Sequence, residues 1–571
     1  LIMLALLVAA CGDDDRALSP VATPTLVAQI VLPTATPAPL IDRELLGAAD
    51  LTAACDAPPE ATFTCTDAAV RPQIEMELAA STFGRWSLHG LGTQPLSGDE
   101  TLTLQVARTG NVAPNLYLVS ADGARMGVAL SRFGLGHGAQ TLHVPLREVR
   151  DENGQTPDFA QVSGLEIVFE WADMQGTFAI ESVRLDSVWR EPVAVQDDAA
   201  AMAAALTLPP GFTATAIADN LRENTQIEFT PDGDMLVSLQ NGRIWWYERA
   251  APPSWGRQDD APLRFATRRL YATGFSEVVG LLYDPSDGGV WVGGRGQLVH
   301  TLDSDGNGVA DTRTARFSGL PWGRHQNNGL TWNPDPDPFT GEPGGSWIYF
   351  GYGSTDDLSV GGDLLASVLR FPRDGQSADD LEVVSQGNRN AYDVVFTQLP
   401  IDLADPTGPT AWQLFASENG PDFNDAPDEV NHIRWGHHFG FPNQFGPVGA
   451  DGDTQAVEGD PYSGPIYPVT PHASANGLAY IDHPDWPAEY RTLYVALFGE
   501  VFNPKPVGHI VERIALRSET TPQGEPTYRG EPSPFVVGLD RPLPLATAPN
   551  GNLLVGDYAT GVLYEIGYVG E

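Results

Sequence analysis

An apolar strand that runs into a Pro, Asp or Gly turn, and returns as a strand rich in Leu, Val, Trp and Tyr, recurs six times between residues 206 and 571. The copies span residues 229–237, 283–292, 332–350, 394–415, 479–495 and 547–555. Their turns include Pro231-Asp232-Gly233, Pro285-Ser286-Asp287-Gly288 and Pro549-Asn550-Gly551. Proline presets the turn backbone, and glycine supplies the positive φ that other residues avoid. One hairpin cannot bury its apolar face alone, so a repeated one must stack on its neighbours. Copies roughly 60 residues apart fit four-stranded blades around a central channel. The expected fold class is all-β, with a six-bladed β-propeller over residues 206–571. A β-sandwich has no need of six copies of one hairpin.

Residues 50–192 read differently. Short alternating strands at 102–106, 116–119, 141–146 and 165–169 are separated by turns such as Asp122-Gly123 and Asn153-Gly154. Regular short strands with polar turns predict a β-sandwich. The pattern resembles galactose-binding-like jelly rolls, and that resemblance implies a carbohydrate-binding module. Trp86, Trp171 and Trp189 suit either stacking on sugar rings or packing in the core. A stretch rich in Ala, Asp and Val at 193–205 reads as a linker.

The first residues are an apolar run ending in Val8-Ala9-Ala10-Cys11, which resembles a bacterial lipobox. The resemblance implies a signal over residues 1–11, cut before Cys11, with lipid attached to its sulfur. The run is shorter than a membrane-spanning helix, and with no Met or basic residues ahead of it the given start is expected to be truncated. Residues 12–49 are rich in Pro, Thr and Ala and read as an extended tether. The protein is thus expected to be exported and lipid-anchored, at the cell surface or in the periplasm. In an oxidising compartment Cys55 and Cys65 are left to pair. Three cysteines exclude a four-cysteine zinc or iron–sulfur site. A net charge of −42, with a single lysine at Lys505, argues against nucleic acid as a partner.

Propellers place ligands on loops at the channel mouth, and four loops carry chemistry. Residues 319–330 hold His325 beside Gln326, and a loop histidine can act as a general base near neutral pH. Residues 387–393 set Arg389 between Asn388 and Asn390, suited to a carboxylate or quinone oxygen, or simply to a solvated turn. Residues 417–422 hold Gly420-Pro421, with Asp428 and Glu429 close behind. Backbone carbonyls with nearby carboxylates suit calcium, and an ordinary Gly-Pro turn is the alternative. Arg541 lies just before the last hairpin and reads either as a ligand contact or as a surface ion pair.

The order of these loops resembles the soluble PQQ-dependent glucose/sorbosone dehydrogenase family. So do residues 206–212, residues 218–221 and the segment Pro471–Tyr480. The resemblance covers most of 206–571 and implies an exported quinoprotein that oxidises an aldose or sorbosone-like sugar by hydride transfer to PQQ. His325 would be the base. Gln326, Arg389 and Asn390 would contact the cofactor, and Arg541 would bind one of its carboxylates. Gly420, Pro421 and Glu429 would hold calcium. An external electron acceptor is implied, because no Cys-x-x-Cys-His haem motif exists. The chain departs from the family in long insertions after Trp332 and Phe396, which would reshape the mouth, and at two site positions. The cofactor lysine aligns near Gly499, with Lys505 the closest substitute. The aspartate that orients the base aligns near Ser354, with Asp356 or Asp357 expected to serve in its place.

A separate motif sets Asp303, Asp305, Asn307 and Asp311 at EF-hand-like spacing, with Gly306 at the turn, and reads as a second calcium loop. His432, His437 and His438 read as a zinc cluster or, preferably, as a loop packed at the channel mouth. Two other functions fit the sequence: a non-catalytic surface propeller that binds glycan or protein, and a calcium-dependent lactonase-like hydrolase.

Overall fold

The computed structural model describes residues 30–31, 43–48, 51–91, 96, 98, 100–133, 135–150, 158–186, 190–250, 262–304, 306–405, 407–422, 425–447, 463–500, 507–521 and 524–570. The signal with Cys11, most of the tether, Trp189, Asp305 and Lys505 lie outside these residues.

Six antiparallel blades form between residues 212 and 568. Each expected hairpin supplies the first two strands of one blade. Blade 1 opens with Asn224–Phe229 and Met235–Leu239, and blade 2 with Gly280–Tyr283 and Val290–Gly294. Blade 3 opens with Asn327–Trp332 and Trp347–Tyr352, and blade 4 with Ala391–Pro400 and Thr410–Glu418. Blades 5 and 6 open with Ala475–Tyr480 and Pro542–Thr547. The six inner strands pack in a ring, each against the next and the sixth against the first.

Sequence and burial agree strand by strand. Second strands such as Met235–Leu239, Val290–Gly294 and Leu493–Leu497 are buried throughout. Both of their faces are covered by adjacent blades, which is why they read as unbroken apolar runs. Outer strands such as Pro526–Val537 meet solvent and carry charge.

Closure of the ring is covalently discontinuous. The fourth strand of blade 6 is Phe212–Ala218, which pairs antiparallel with Leu563–Tyr568 at the other end of the propeller. Phe212 fastens it. Its ring lies 4.7–5.1 Å, centroid to centroid, from Trp486, Tyr490, Phe535 and Tyr568. The expected linker just before it contains a helix, Asp197–Ala205. Its alanines favour helix, and Asp197 and Asp198 oppose the positive end of the helix dipole. Ala199 and Ala203 bury against the closing blades.

Ahead of the propeller, two antiparallel sheets enclose one core. One contains Thr62–Thr66, Gln73–Leu78, Thr101–Arg108, Gly138–Pro145 and Met174–Asp186; the other contains Thr52–Asp56, Gly84–His89, Asn115–Ser120, Arg125–Ala129 and Val162–Phe169. Alternation drives it: Ile74, Met76 and Leu78 point inward while their neighbours are exposed. The Phe169 and Phe178 rings meet edge-on between the sheets, and a Cys55–Cys65 disulfide joins one strand of each. Trp86 is a core residue, whereas Trp171 is 77% exposed.

This unit touches blade 1 through the buried carboxylate of Glu148 and through the Phe133 ring, which lies under Arg243. Glu148 accepts from Arg243 Nε at 3.0 Å and from Thr273 Oγ1 at 2.7 Å, with Arg132 at 3.6 Å. Burial raises its pKa, but the hydrogen bonds and charges of these partners prevail and hold it below the usual carboxylate value. Residue Arg243 follows closely on Gln240, which lines the channel pocket.

Phe212→Ala should lower stability by about 3–5 kcal/mol. Urea unfolding followed by tryptophan fluorescence should show the propeller transition at lower denaturant.

Candidate active site

A pocket opens at the channel mouth, where the segments that precede the inner strands converge. His325, Gln326 and Asn328 come from the entry to blade 3, and Arg389, Asn390 and Tyr392 from the entry to blade 4. Asn419, Gly420 and Asp428 come from further along blade 4, and His472, Ser474 and Asn476 from the entry to blade 5. Arg324, Asp422, Phe498, Gly499 and Glu500 complete much of the wall.

His325 is half-buried in that wall. Its Nδ1 lies 2.9 Å from the Ser354 carbonyl and 3.2 Å from the Ser354 hydroxyl. A carbonyl only accepts, so Nδ1 carries the proton and Nε2 keeps the free lone pair. Burial, and then the charges of Arg389 and Arg324, hold the imidazole well below its usual pKa. The expectation that Asp356 or Asp357 orients this ring fails. The Asp356 carboxylate accepts from Leu358 N, Ser359 N and Ser359 Oγ. Asp357 pairs with arginines instead.

Arg389 is 2% exposed. Its Nη1 donates to the Asn419 and Gly420 carbonyls, both at 2.8 Å, and its Nη2 pairs with Asp357. Its backbone N–H donates to Glu418 at 2.6 Å. Arg389 Nε is buried without a hydrogen-bond partner among the described residues. Arg324 shares Asp357, at 3.4 Å, and also pairs with Asp422. Sequence reasoning passed over Arg324, although it stands next to His325 in a loop already singled out.

Asparagines tie the loops together. Asn328 Nδ2 donates to Asn390 Oδ1 at 2.9 Å and to the Ala391 carbonyl at 2.8 Å. Asn419 Nδ2 donates to the Ala475 carbonyl, and Ser474 Oγ donates to Asn419 Oδ1. Gln326 Nε2 donates to the Glu277 carbonyl at 2.8 Å. These bonds cross blade boundaries and fix the loops relative to one another.

The expected calcium set divides. Gly420 lines the pocket, but Glu429 does not. Neighbouring residues on a strand face opposite ways, so Glu429 turns to Gly446 N and Asn431. Asp428 faces the pocket, accepting from Gly420 N at 2.7 Å and Ser474 N at 2.6 Å. Burial pushes both carboxyls up to about 7. Pro421 is buried beside Gly420 without lining the pocket. Arg541 stands behind the wall, its guanidinium 5.3 Å from the centre of the Phe498 ring. Gly499 has φ +100°, and a Cβ there would lie 2.5 Å from the His509 ring. A lysine at that position would adopt a strained backbone and require the His509 ring to move.

The remaining candidates are elsewhere. In the loop before Thr312, Asp303 accepts from Asn307 N and Gly308 N, Asn307 Oδ1 accepts from Val309 N, and Asp311 accepts from Ser304. The expectation that the three histidines pack at the mouth is corrected. His432 bonds Gln413 and Thr527, His437 bonds Ser463, and His438 accepts from Gly440 N. Among the described residues they form no metal-holding group and none lines the pocket, and His437–His438 adds in parallel to the outer edge of blade 3.

No family model matches the chain, and no curated protein matches it. Solved structures do. A calcium structure of carbohydrate-active enzyme family AA12 from Trichoderma reesei is 14% identical, with 64% of this chain and 97% of that chain covered at TM-score 0.49. The holo form of the pyranose dehydrogenase PQQ domain from Coprinopsis cinerea is 14% identical, with 63% and 97% covered at TM-score 0.47. The PQQ-bound form of aldose sugar dehydrogenase from Streptomyces coelicolor is 20% identical, with 63% and 99% covered at TM-score 0.42.

The lowered imidazole pKa has a visible consequence. His325 should stay neutral down through pH 6.5 and take up a proton only in more acid solution. Arg389→Gln should move its titration upward, toward 6.5, as followed by histidine NMR.

Proposed function

We propose that this protein is a PQQ-dependent sugar dehydrogenase that oxidises an aldose or sorbosone-like sugar and passes the electrons to an external acceptor. The observation that carries the reading is His325 Nε2, freed as a base by the Ser354 carbonyl, in one pocket with Arg324 and the unpartnered Arg389 Nε. The fit to PQQ, a polycarboxylate quinone, is one of charge and donors. A chain of net −42 repels such a ligand except where cations are fixed in the wall. Arg389 Nε is a buried donor in need of an acceptor. Gln326 and Asn390 add amides to the same wall. The Gly420 carbonyl, whose second lone pair is not used by Arg389, and the Asp428 carboxylate suit calcium.

When bound, PQQ supplies an ortho-quinone that takes up the substrate's two electrons as hydride. His325 Nε2 accepts the proton of the substrate hydroxyl. The Ser354 carbonyl keeps the ring in the tautomer this needs. Because Ser354 brings no negative charge, the imidazolium formed is less stabilised than one backed by a carboxylate. Asp357 holds the two arginine side chains in place and stops them from repelling each other. The lipobox and tether support export and lipid anchoring, and the two-sheet unit supports a carbohydrate-binding role beside the mouth.

The test is a PQQ titration with calcium, read by cofactor absorbance, followed by dye reduction across aldoses and sorbosone. His325→Ala should lose at least about 100-fold in kcat, consistent with removal of a general base, while still binding PQQ. Arg389→Ala should weaken PQQ binding. Absence of PQQ binding would leave a glycan-binding propeller. Lactone hydrolysis without PQQ would point to the hydrolase.

A further inference from the structure

At the far end of the blade 2 inner strand from the pocket, a second set of chemical groups converges. Asp284 and Asp287 lie on the turn between Gly280–Tyr283 and Val290–Gly294, and His300 lies on the adjacent strand Gln297–Leu302. His300 is 8% exposed, and its Nε2 is buried with no hydrogen-bond partner among the described residues. That nitrogen stands 3.5 Å from Asp287 Oδ2 and 4.0 Å from Asp284 Oδ2. One ligand atom from each of the three residues lies within 4.8 Å of the others.

We propose that His300, Asp287 and Asp284 bind a divalent transition-metal ion of the zinc class between blades 2 and 3. The separations are long for hydrogen bonds, but two ligands each about 2.0–2.2 Å from one ion stand about 3–4 Å apart. One imidazole with two carboxylates suits zinc, whereas calcium prefers six or more oxygens. A tilted contact with the Trp291 ring, at 4.7 Å between centroids, holds the His300 ring. Gly289 leaves room for it, since a Cβ there would lie 2.4 Å from Nε2.

The surroundings form a second shell. Trp291 Nε1 donates to Asp284 Oδ2 at 3.0 Å, and Arg373 from blade 3 donates to the same oxygen at 2.9 Å and to Oδ1 at 2.8 Å. Ser286 N and Oγ also bond Oδ1. Donors of this kind orient a ligating carboxylate. Asp287 accepts from Gly289 N at 2.9 Å and has no arginine partner among the described residues. Arg316 and Arg373 line the adjoining cavity and compete with the ion, so the site should bind zinc less tightly than a closed four-ligand site.

Calorimetry of the chelator-stripped full chain with zinc chloride is the test, repeated on His300→Gln and Asp287→Asn. One zinc per chain is expected, weakened about tenfold or more in each variant. Circular dichroism and the melting temperature in chelator establish that the variants fold. Anomalous diffraction at the zinc edge needs no variant and should place a peak within ligand distance of His300 Nε2. No zinc uptake, unchanged uptake in either folded variant, or a peak only elsewhere overturns the proposal. The readout is independent of PQQ and of sugar oxidation, so it stands or falls apart from the proposed activity.

Discussion

Everything at the channel mouth depends on the pairing of Phe212–Ala218 with Leu563–Tyr568. The pocket has no scaffold of its own. Its walls are segments that enter successive inner strands, and their spacing is set by how tightly the ring of blades closes. Asparagine bonds such as Asn328–Asn390 and Asn419–Asn476 lock neighbouring loops only when the blades beneath them are in register. Burial of Phe212 among four aromatic rings therefore supports the site from a distance, through geometry.

Within the site the dominant force is the desolvation of charge. Two arginines share one aspartate, and a neutral imidazole sits beside them. The guanidinium charges make protonation of His325 costly, which keeps Nε2 in its basic form. They also attract anions into a pocket of a strongly acidic protein. Asp428 is poised near 7 because two backbone N–H bonds oppose its burial. A cation at Gly420 would stabilise its ionised form.

The propeller was legible because each blade repeats one hairpin whose second strand is covered on both faces, and that environment writes itself as apolar runs such as Met235–Leu239 and Leu493–Leu497. The loop positions were legible for the same reason, since each sits at a fixed offset from a hairpin. Side-chain direction was not. Asp428 and Glu429 are adjacent acids, and only strand alternation decides which one faces the pocket. Arg541 and Arg324 were equally visible as arginines. Arg541 packs on the Phe498 ring and does not line the pocket, while Arg324 does. The linker helix escaped notice because its nine residues draw their stability from packing on blades that are distant in sequence. The metal candidate on blade 2 was visible only as a turn. His300 reaches Asp284 and Asp287 through strand pairing that no linear motif records.

The closing strand also dictates an order of events during synthesis. Phe212–Ala218 emerges from the ribosome before any blade exists, while its mate Leu563–Tyr568 is the last propeller strand to be made. Until then an apolar strand with a free edge must wait, through export if the chain is secreted, while five blades assemble without a sixth. Such an edge is a template for pairing with other chains. The helix Asp197–Ala205 lies immediately upstream, and the blades on which Ala199 and Ala203 bury are likewise made last. The nascent protein thus carries its latch from the start and engages it last, which makes the final blade the step at which misassembly is decided.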